Sequence, residues 1–298
     1  MRLEELELFR RAAVLGSLSA AGRELGLSPA AASARLQSLE NSVGATLFNR
    51  TTRSLSLTEE GETMLLHAGR ALEELETAKT LVSGVETKPS GTLRASLPGP
   101  FGQKHILPFL KEFRDRYPEV ELDLHVSDVI VNVVEGGYDV VVRVAPLADS
   151  ALKVTKLADN RRVIVASPEY LKGHPVPVEP EDLRDHDALV HGELRTWRFL
   201  RDGEERSVRV SGPLHAYDGA ITRDAALYGF GIAMKSIFDV GEDLKEGRLV
   251  ELLPDWTMIG AGSIWALRPP GRFTPPRVRA FIDFLKEKYS PKPYWEID

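Results

Sequence analysis

Hydrophobic spacing along the first sixty residues alternates between helical stripes and short breaks. Leu6, Phe9 and Ala13, with Ala12 on the flank, recur at helical intervals and predict an amphipathic helix over 3–15 that Gly16 ends. Residues 19–25 read as a short alanine-rich helix, broken at Gly26-Leu27. Ser28 then stands as an N-cap with Pro29 at the first helical position, where a missing N–H costs nothing. Ala32, Leu36 and Leu39 mark the buried side of this third helix, expected to run to about Asn41. An extended segment over Val43–Phe48, the polar tip Asn49-Arg50-Thr51-Thr52-Arg53 and alternation over Ser54–Thr58 together describe a wing. Two helices joined by a short glycine-containing turn form the helix-turn-helix pattern, whose second helix enters the major groove. The small side chains of 30–34 would let that helix approach base edges closely. Arg50 and Arg53, at the wing tip, suit phosphates or a narrow minor groove.

From Glu59 to Ser83 there is no proline, and Leu65, Ala68, Leu72, Leu75 and Val82 recur in steps of three and four, with Lys79 in the vacant seat. That is a coiled-coil seam. A lone helix of this length cannot bury its stripe, and the spacing favours a second copy of itself. Residues 86–91 are polar and turn-forming, and mark a domain boundary.

Beyond the boundary, strands and helices alternate. Strands are expected at Leu93–Leu97, Val120–Val126 and Val140–Val144. Helices are expected along Ile106, Phe109, Leu110, Phe113 and Tyr117, and through Val133-Val134. A second set follows: Val163–Ala166, Ala188–Val190, Val208–Val210, a helix from Asp218 to Tyr228 and a strand over Gly231–Met234. Ile264–Leu267 returns to the first set, and Val278, Phe281, Ile282 and Leu285 form a last amphipathic helix. The pattern predicts an α/β domain following an all-α-like winged helix-turn-helix.

Composition adds limits. The 298 residues are 43% apolar and 28% charged, with no cysteine, so disulfides, thiol nucleophiles and thiolate metal sites are excluded. The charged start MRLEELELFRR lacks the apolar core of a secretory signal, and no apolar run is long enough to span a bilayer, so a cytoplasmic location away from membranes is expected. The net charge of −6 is unevenly spread: residues 1–58 hold seven arginines and five glutamates, a net +2, leaving −8 elsewhere. One such module would hold phosphates weakly; two in a dimer would do better. Glycine-rich phosphate loops, GxSxG and HExxH are absent, and the chain is expected not to be an enzyme or to carry a cofactor. His186-Asp187 with His191 is the nearest approach to a metal cluster, and a surface position is expected for it.

The N-terminal run resembles the LysR-type transcriptional regulators. The residues that carry the resemblance are Leu6, Phe9, Gly16 to Ala21, Leu25 to Pro29, Ser33, Leu39-Glu40, Val43-Gly44, Leu47 to Thr51 and Leu57 to Gly61. In the second half, Arg143, Ala166 to Pro168, Gly229 to Ala233 and Phe281 to Leu285 extend it. The resemblance implies a winged helix-turn-helix over 1–58, a linker and dimerisation helix with hinge over 59–88, and a Rossmann-like, periplasmic-binding-protein-like effector domain over 89–298. Within that domain it implies a first lobe of 89–162 and 265–298 and a second of 163–264. Double-stranded DNA with a pseudo-palindromic operator, a homodimer through the 59–83 helix, a homotetramer and a small-molecule co-inducer are the implied partners. DNA-reading positions carry over as Ser28, Pro29, Ala30, Ser33 and Arg53, with Gln37 and Thr51 as further candidates. Family members often carry arginine directly after the recognition-helix serine; here Ala34 stands there and Arg35 follows. Which of the two faces DNA is left open.

Ligands of open α/β sheets bind beyond the carboxyl ends of strands. Candidate effector residues are therefore Ser96, Pro98, Gly99, Pro100, Phe101, Ser127, Asp128, Arg143, Tyr217 and Asp218. Helix capping competes with ligand contact at Asp128 and Asp218, and strand-end capping at Ser96. Arg143 closes a buried strand and needs a carboxylate partner or an acidic ligand. Where relatives often have Leu-Leu-Pro, Met234-Lys235-Ser236 places a charge near the cleft. It favours a small anionic effector, although plain exposure to solvent is the default expectation. The rival to a DNA-binding regulator is a small-solute-binding protein whose N-terminal helices mediate protein interaction.

Overall fold

The structure is a computed structural model that describes residues 1–50, 55–83, 88–127, 133, 136–146, 151–270 and 274–296. It divides into two compact units, Met1–Thr87 and Lys88–Asp298. In the first unit, α1 (Leu3–Leu15), α2 (Leu18–Glu24) and α3 (Pro29–Val43) pack around Leu6, Leu8, Phe9, Ala12, Ala21, Ala32, Leu36 and Leu39. Ala12, rather than Ala13, is the fully buried alanine of α1. Ser17 and Ser28 cap α2 and α3, their hydroxyls accepting from Ala20 and Ala31 N–H at 3.2 Å each. Gly22 makes the tight crossing possible: a Cβ there would lie 2.9 Å from that of Ala32 on α3.

The third helix runs past Asn41 to Val43 and is closed by Gly44 at φ +73°. Gly44 N–H donates to the Glu40 carbonyl at 2.8 Å, while the Glu40 carboxylate accepts from Leu47 N–H at 2.9 Å. The residues expected to open the wing strand are therefore the end of a helix and its cap, and the strand β1 occupies only Phe48–Arg50. It pairs antiparallel with β2 (Leu55–Leu57). Helix α4 (Glu59–Ser83) follows as expected, with Leu65, Ala68 and Leu72 of its stripe packed on the unit's own core.

In the second unit, β3 (Gly91–Leu97) leads into a composite helix. Its first turn α5 (Gly99–Phe101) passes through a π turn (Gly102–Ile106) and a 3₁₀ turn (Leu107–Phe109) into α6 (Leu110–Arg116). Pro108 lies in the 3₁₀ turn, where the missing N–H interrupts regular helix bonding. Strands β4 (Val120–Val126) and β5 (Val140–Ala145) flank β3 in parallel, while β6 (Lys153–Asp159) is the far edge. The helix expected through Val133-Val134 falls largely outside the described residues.

The chain then builds a second sheet. Its elements are β7 (Arg162–Ala166), α7 (Pro168–Leu171), β8 (Ala188–His191), the hairpin β9 (Thr196–Arg201) and β10 (Glu204–Arg209), β11 (Leu214–Ala216), α8 (Gly219–Leu227), β12 (Ile232–Ser236), α9 (Ile237–Lys245), β13 (Val250–Leu252) and β14 (Thr257–Met258). Finally β15 (Ser263–Arg268) pairs antiparallel with β5 and β6 of the first sheet, and α10 (Pro276–Tyr289) covers that sheet. The sheet orders are β4-β3-β5-β15-β6 and β11-β8-β12-β7-β13, with β10-β9-β14 as a third layer.

Side-chain alternation explains how the second sheet is covered twice. Ile164, Ala166, Val190 and Ile232 face Trp197 and Phe199 of the hairpin. Their neighbours Val163, Val165, Leu189 and Ala233 join the larger core with Ala226 of α8 and Ile237 and Val240 of α9.

His105, 6% exposed, sits in an aromatic cluster with Phe101, Phe238, Tyr294 and Trp295. Its Nε2–H donates to the Phe238 carbonyl at 2.8 Å and its Nδ1 accepts from the Tyr294 hydroxyl at 2.7 Å, so the neutral ring is fully bonded. Burial, with Lys104 beside it, draws its pKa from 6.5 down to about 4 against the opposing pull of the Phe238 carbonyl. As pH falls the unfolded chain takes the proton first. The stability that His105 contributes is therefore complete above about 6.5 and lost on the way down to about 4. A loss on the order of 3 kcal/mol is expected over that window. Chemical unfolding of wild type and His105→Gln should show a flatter pH dependence in the variant; identical slopes would refute this assignment.

Candidate DNA-reading face and effector cleft

Helix α3 presents two chemically different sides. Ala32, Leu36, Leu39 and Glu40 are buried, whereas Ala30, Ser33, Ala34, Gln37 and Asn41 are exposed at steps of three and four. Gln37 donates from its amide to Asn41 Oδ1 at 3.3 Å, which extends the polar face by one turn. Ser28 and Pro29 are exposed at its N-terminus, as the sequence suggests. Arg35 lies on the flank and pairs with Glu4 of α1 at 3.1 Å. Next to it, the Ser38 hydroxyl donates to Glu5 Oε1 at 2.8 Å. Between the alternatives left open by the sequence, Ala34 stands on the outer face and Arg35 on the brace to α1. Asn41 was missed because its place at the end of the face depends on the helix continuing beyond it. Arg50 ends β1, while Thr51 and Arg53 lie outside the described residues.

The second unit carries an open cleft of about 240 Å³ between its two sheets. From the first sheet's side it is lined by Pro98, Pro100, Phe101, Arg143 and Val144; from the other by Arg162, His191, Leu194, Gly219, Met234, Lys235, Ser236, Phe238 and Asp239. Its lining combines apolar side chains with four charged ones, Arg143, Arg162, Lys235 and Asp239, a constitution suited to a small polar molecule. Arg143 donates to Ser96 Oγ at 3.0 Å and to the Val142 carbonyl at 2.8 Å. Ser96 is fully buried behind the wall, so its hydroxyl orients the guanidinium instead of capping the strand.

Lys235 overturns the expectation of solvent exposure. It is only 6% exposed, and its ammonium pairs with Asp239 at 2.8 Å and donates to the Gly219 carbonyl at 2.5 Å. The α8 start explains this: Gly219 offers its carbonyl where no side chain intervenes, one turn from Thr222 Oγ1 at 3.4 Å. Asp218 caps that helix, accepting from Ala220 N–H at 2.8 Å. Tyr217 is exposed and donates to Glu193 at 2.7 Å; it lies outside the cavity lining, as do Gly99 and Ser127. Asp128 lies outside the described residues. His186 is also not at the surface: it is 5% exposed, with Nδ1 3.2 Å from the Tyr170 hydroxyl, and burial lowers its pKa. Among the described residues no group of three or more potential ligands could hold a metal ion. Nor is any described helix long and apolar enough to cross a membrane.

Sequence reasoning missed Arg162. It begins β7 and lines the cavity, and among the described residues its guanidinium makes no hydrogen bond or ion pair. Burial pulls its pKa below the ordinary arginine value, with no compensating carboxylate. The signal was present: like Arg143, it is a charge adjoining a buried β-branched run, here Val163-Ile164-Val165.

Family models match the chain twice: the bacterial regulatory helix-turn-helix protein, lysR family, over residues 3–62, and the LysR substrate binding domain over 86–290. The chain belongs to the LysR family of transcriptional regulators. LysR-family relatives cover it nearly end to end. The HTH-type transcriptional regulator CrgA of Neisseria meningitidis is 36% identical over 288 residues, 96% of each chain. PtxR of Pseudomonas aeruginosa is 36% identical over 297 residues, 99% of this chain and 95% of its own. Among solved structures, CrgA superposes with a TM-score of 0.63 at 35% identity, covering 97% of this chain and 99% of that one. The full-length Vibrio cholerae virulence activator AphB gives a TM-score of 0.59 at 31% identity over 96% of this chain and 98% of its own. The chain thus joins a DNA-binding helix-turn-helix domain to an effector-binding domain, and the rival solute-binding reading is not favoured.

An unpartnered guanidinium held in a partly buried wall costs stability. Arg162→Met is expected to raise the unfolding free energy of the second unit by on the order of 1 kcal/mol. Thermal or urea unfolding checks this, and a less stable variant would mean that the charge is already satisfied in the folded chain.

Proposed function

We propose that this LysR-family regulator reads a pseudo-palindromic operator as a homodimer joined through α4, assembles into a homotetramer, and responds to a small organic anion bound between its lobes. The observation that carries the effector class is the cationic wall of the cleft. Arg143, Arg162 and Lys235 converge on one cavity, and Arg162 has no counter-charge among the described residues. A neutral ligand would leave that cost in place; a carboxylate or phosphate would remove it. Lobes divide, in this reading, as 89–162 with 265–298 and 163–264, after a reading head over 1–58 and a linker over 59–88.

Dimerisation is supported by the α4 stripe: Leu75 remains 43% exposed past the stretch that packs on the unit's own core. On DNA, Ser33, Ala34 and Gln37 would meet base edges, with Ser28, Pro29, Ala30, Arg50, Thr51 and Arg53 holding the backbone or flanks. The chain would act without chemistry of its own, in the cytoplasm where its operator is, as befits relatives named as transcriptional regulators. Effector binding would shift the population between two lobe arrangements, to the extent that it binds one more tightly.

Salt-dependent binding to the DNA immediately upstream of the chain's own gene, against random DNA, tests the reading. Selective binding at physiological salt is expected. Gln37→Ala should cost about 1–3 kcal/mol of discrimination at one base pair. Arg35→Ala, by breaking only the pair with Glu4, should leave base preference unchanged. Loss of base preference in Arg35→Ala but not in Gln37→Ala would reverse the assignment of the reading face.

A further inference from the structure

Asp239 is 4% exposed, yet its carboxylate is charged on both sides. Lys235 meets Oδ2 at 2.8 Å, and Lys104 meets Oδ1 at 2.9 Å. These two lysines come from different places. Lys235 is the penultimate residue of β12 in the second sheet and lines the cavity; Lys104 lies in the π turn after β3 of the first sheet and does not line it. Lys104 also donates to the Asp239 backbone carbonyl at 2.5 Å, and His105 beside it bonds the Phe238 carbonyl. The first lobe therefore grips the start of α9 at the carboxylate that restrains Lys235.

We propose that this chain of buried charges sets the anion selectivity of the cleft, Lys235 being the cation an effector must share with Asp239 and Lys104 setting how firmly Asp239 holds it. The inference rests on the anionic-effector reading above and adds a mechanism to it. A neutral ligand has no claim on an ammonium already bonded to Asp239, Gly219 and Thr222. An anion competes for it, because a charged acceptor bonds an ammonium more strongly than a neutral one. When Lys235 turns to the ligand, Asp239 is compensated by Lys104 alone, and the pair across the lobes bears the whole of its charge. Occupation of the cleft and the grip between lobes are thereby linked by one carboxylate. The sequence marks the device: Lys235 and Asp239 stand four residues apart, on either side of the junction between β12 and α9.

The signs of three substitutions separate this from a merely structural ion pair. Full-length protein is titrated with benzoate, succinate and inorganic phosphate, and with benzamide and succinamide as neutral counterparts, by calorimetry and tryptophan fluorescence. Wild type is expected to bind at least one anion and neither amide. Lys235→Met should weaken anion binding by about tenfold or more. Asp239→Asn, by releasing Lys235, should tighten it by a similar factor. Lys104→Met, although outside the cavity, should weaken it, because Asp239 then holds Lys235 alone. Lys104→Met combined with Asp239→Asn should behave as Asp239→Asn does. Circular dichroism and thermal unfolding identify a variant that fails to fold; if Asp239→Asn is that variant, the Lys104→Met and Lys235→Met pair carries the test. Weaker binding in Asp239→Asn, or unchanged binding in Lys104→Met, overturns the charge chain while leaving the anionic reading intact. Binding of no anion by wild type, or of amides equally well, overturns both.

Discussion

Charge placed between two sheets has to be compensated, and that requirement organises the sensing half of this protein. The second sheet is covered on both faces, by the hairpin layer on one side and by α8 and α9 on the other. Polar groups can therefore gather only at strand ends, where the two sheets meet around the cavity. Arg143, Arg162 and Lys235 all stand at or near such ends. Each has a different solution to the same cost. Arg143 is oriented by Ser96, Lys235 is neutralised by Asp239, and Arg162 has no ion-pair partner among the described residues. In the reading proposed above, that gradation from satisfied to unsatisfied charge is what would let the cleft receive an anion.

In the reading head the same problem is solved locally. Glu4 and Glu5 on α1 engage Arg35 and Ser38 on the flank of α3, and serine caps begin both α2 and α3. The recognition helix is thus fixed by its flank and its N-terminus, which leaves its outer side unburdened by structural contacts.

The reading head was nearly all legible in sequence because its determinants are local. Caps, a proline at the first helical position and the spacing of Leu36 and Leu39 fix α3 without reference to distant residues. The exception is the far end of α3: Gly44 in a left-handed conformation prolongs the helix where the extended reading of Val43–Phe48 began the wing too early. In the sensor, buried parallel strands such as β3 and β5 announced themselves, while the edge strand β6, Lys153–Asp159, did not. Its alternation is broken at Leu157, where the register against β15 shifts: Ile264 pairs with Ala158 and Trp265 with Lys156. The β9–β10 hairpin was readable in principle: Trp197 and Phe199 alternate with polar residues ahead of Asp202-Gly203, and both turn residues have positive φ. The site divided along the same line. The loop after β3 and Arg143 follow from strand ends, but the burial of Lys235 depends on a carbonyl at 219 and a carboxylate at 239, which only the folded chain brings together.

The brace between α1 and α3 has a consequence for how such a regulator diverges. Because Glu4 and Glu5 hold the helix from one side, substitutions at Ala34, Gln37 and Asn41 touch neither its anchoring nor its core. In the proposed reading, folding and address would be written on opposite faces of one helix. On that reading, a duplicated copy would drift to a new operator through a few exposed positions while keeping the buried face and the brace that hold the helix, with no change required in the second unit.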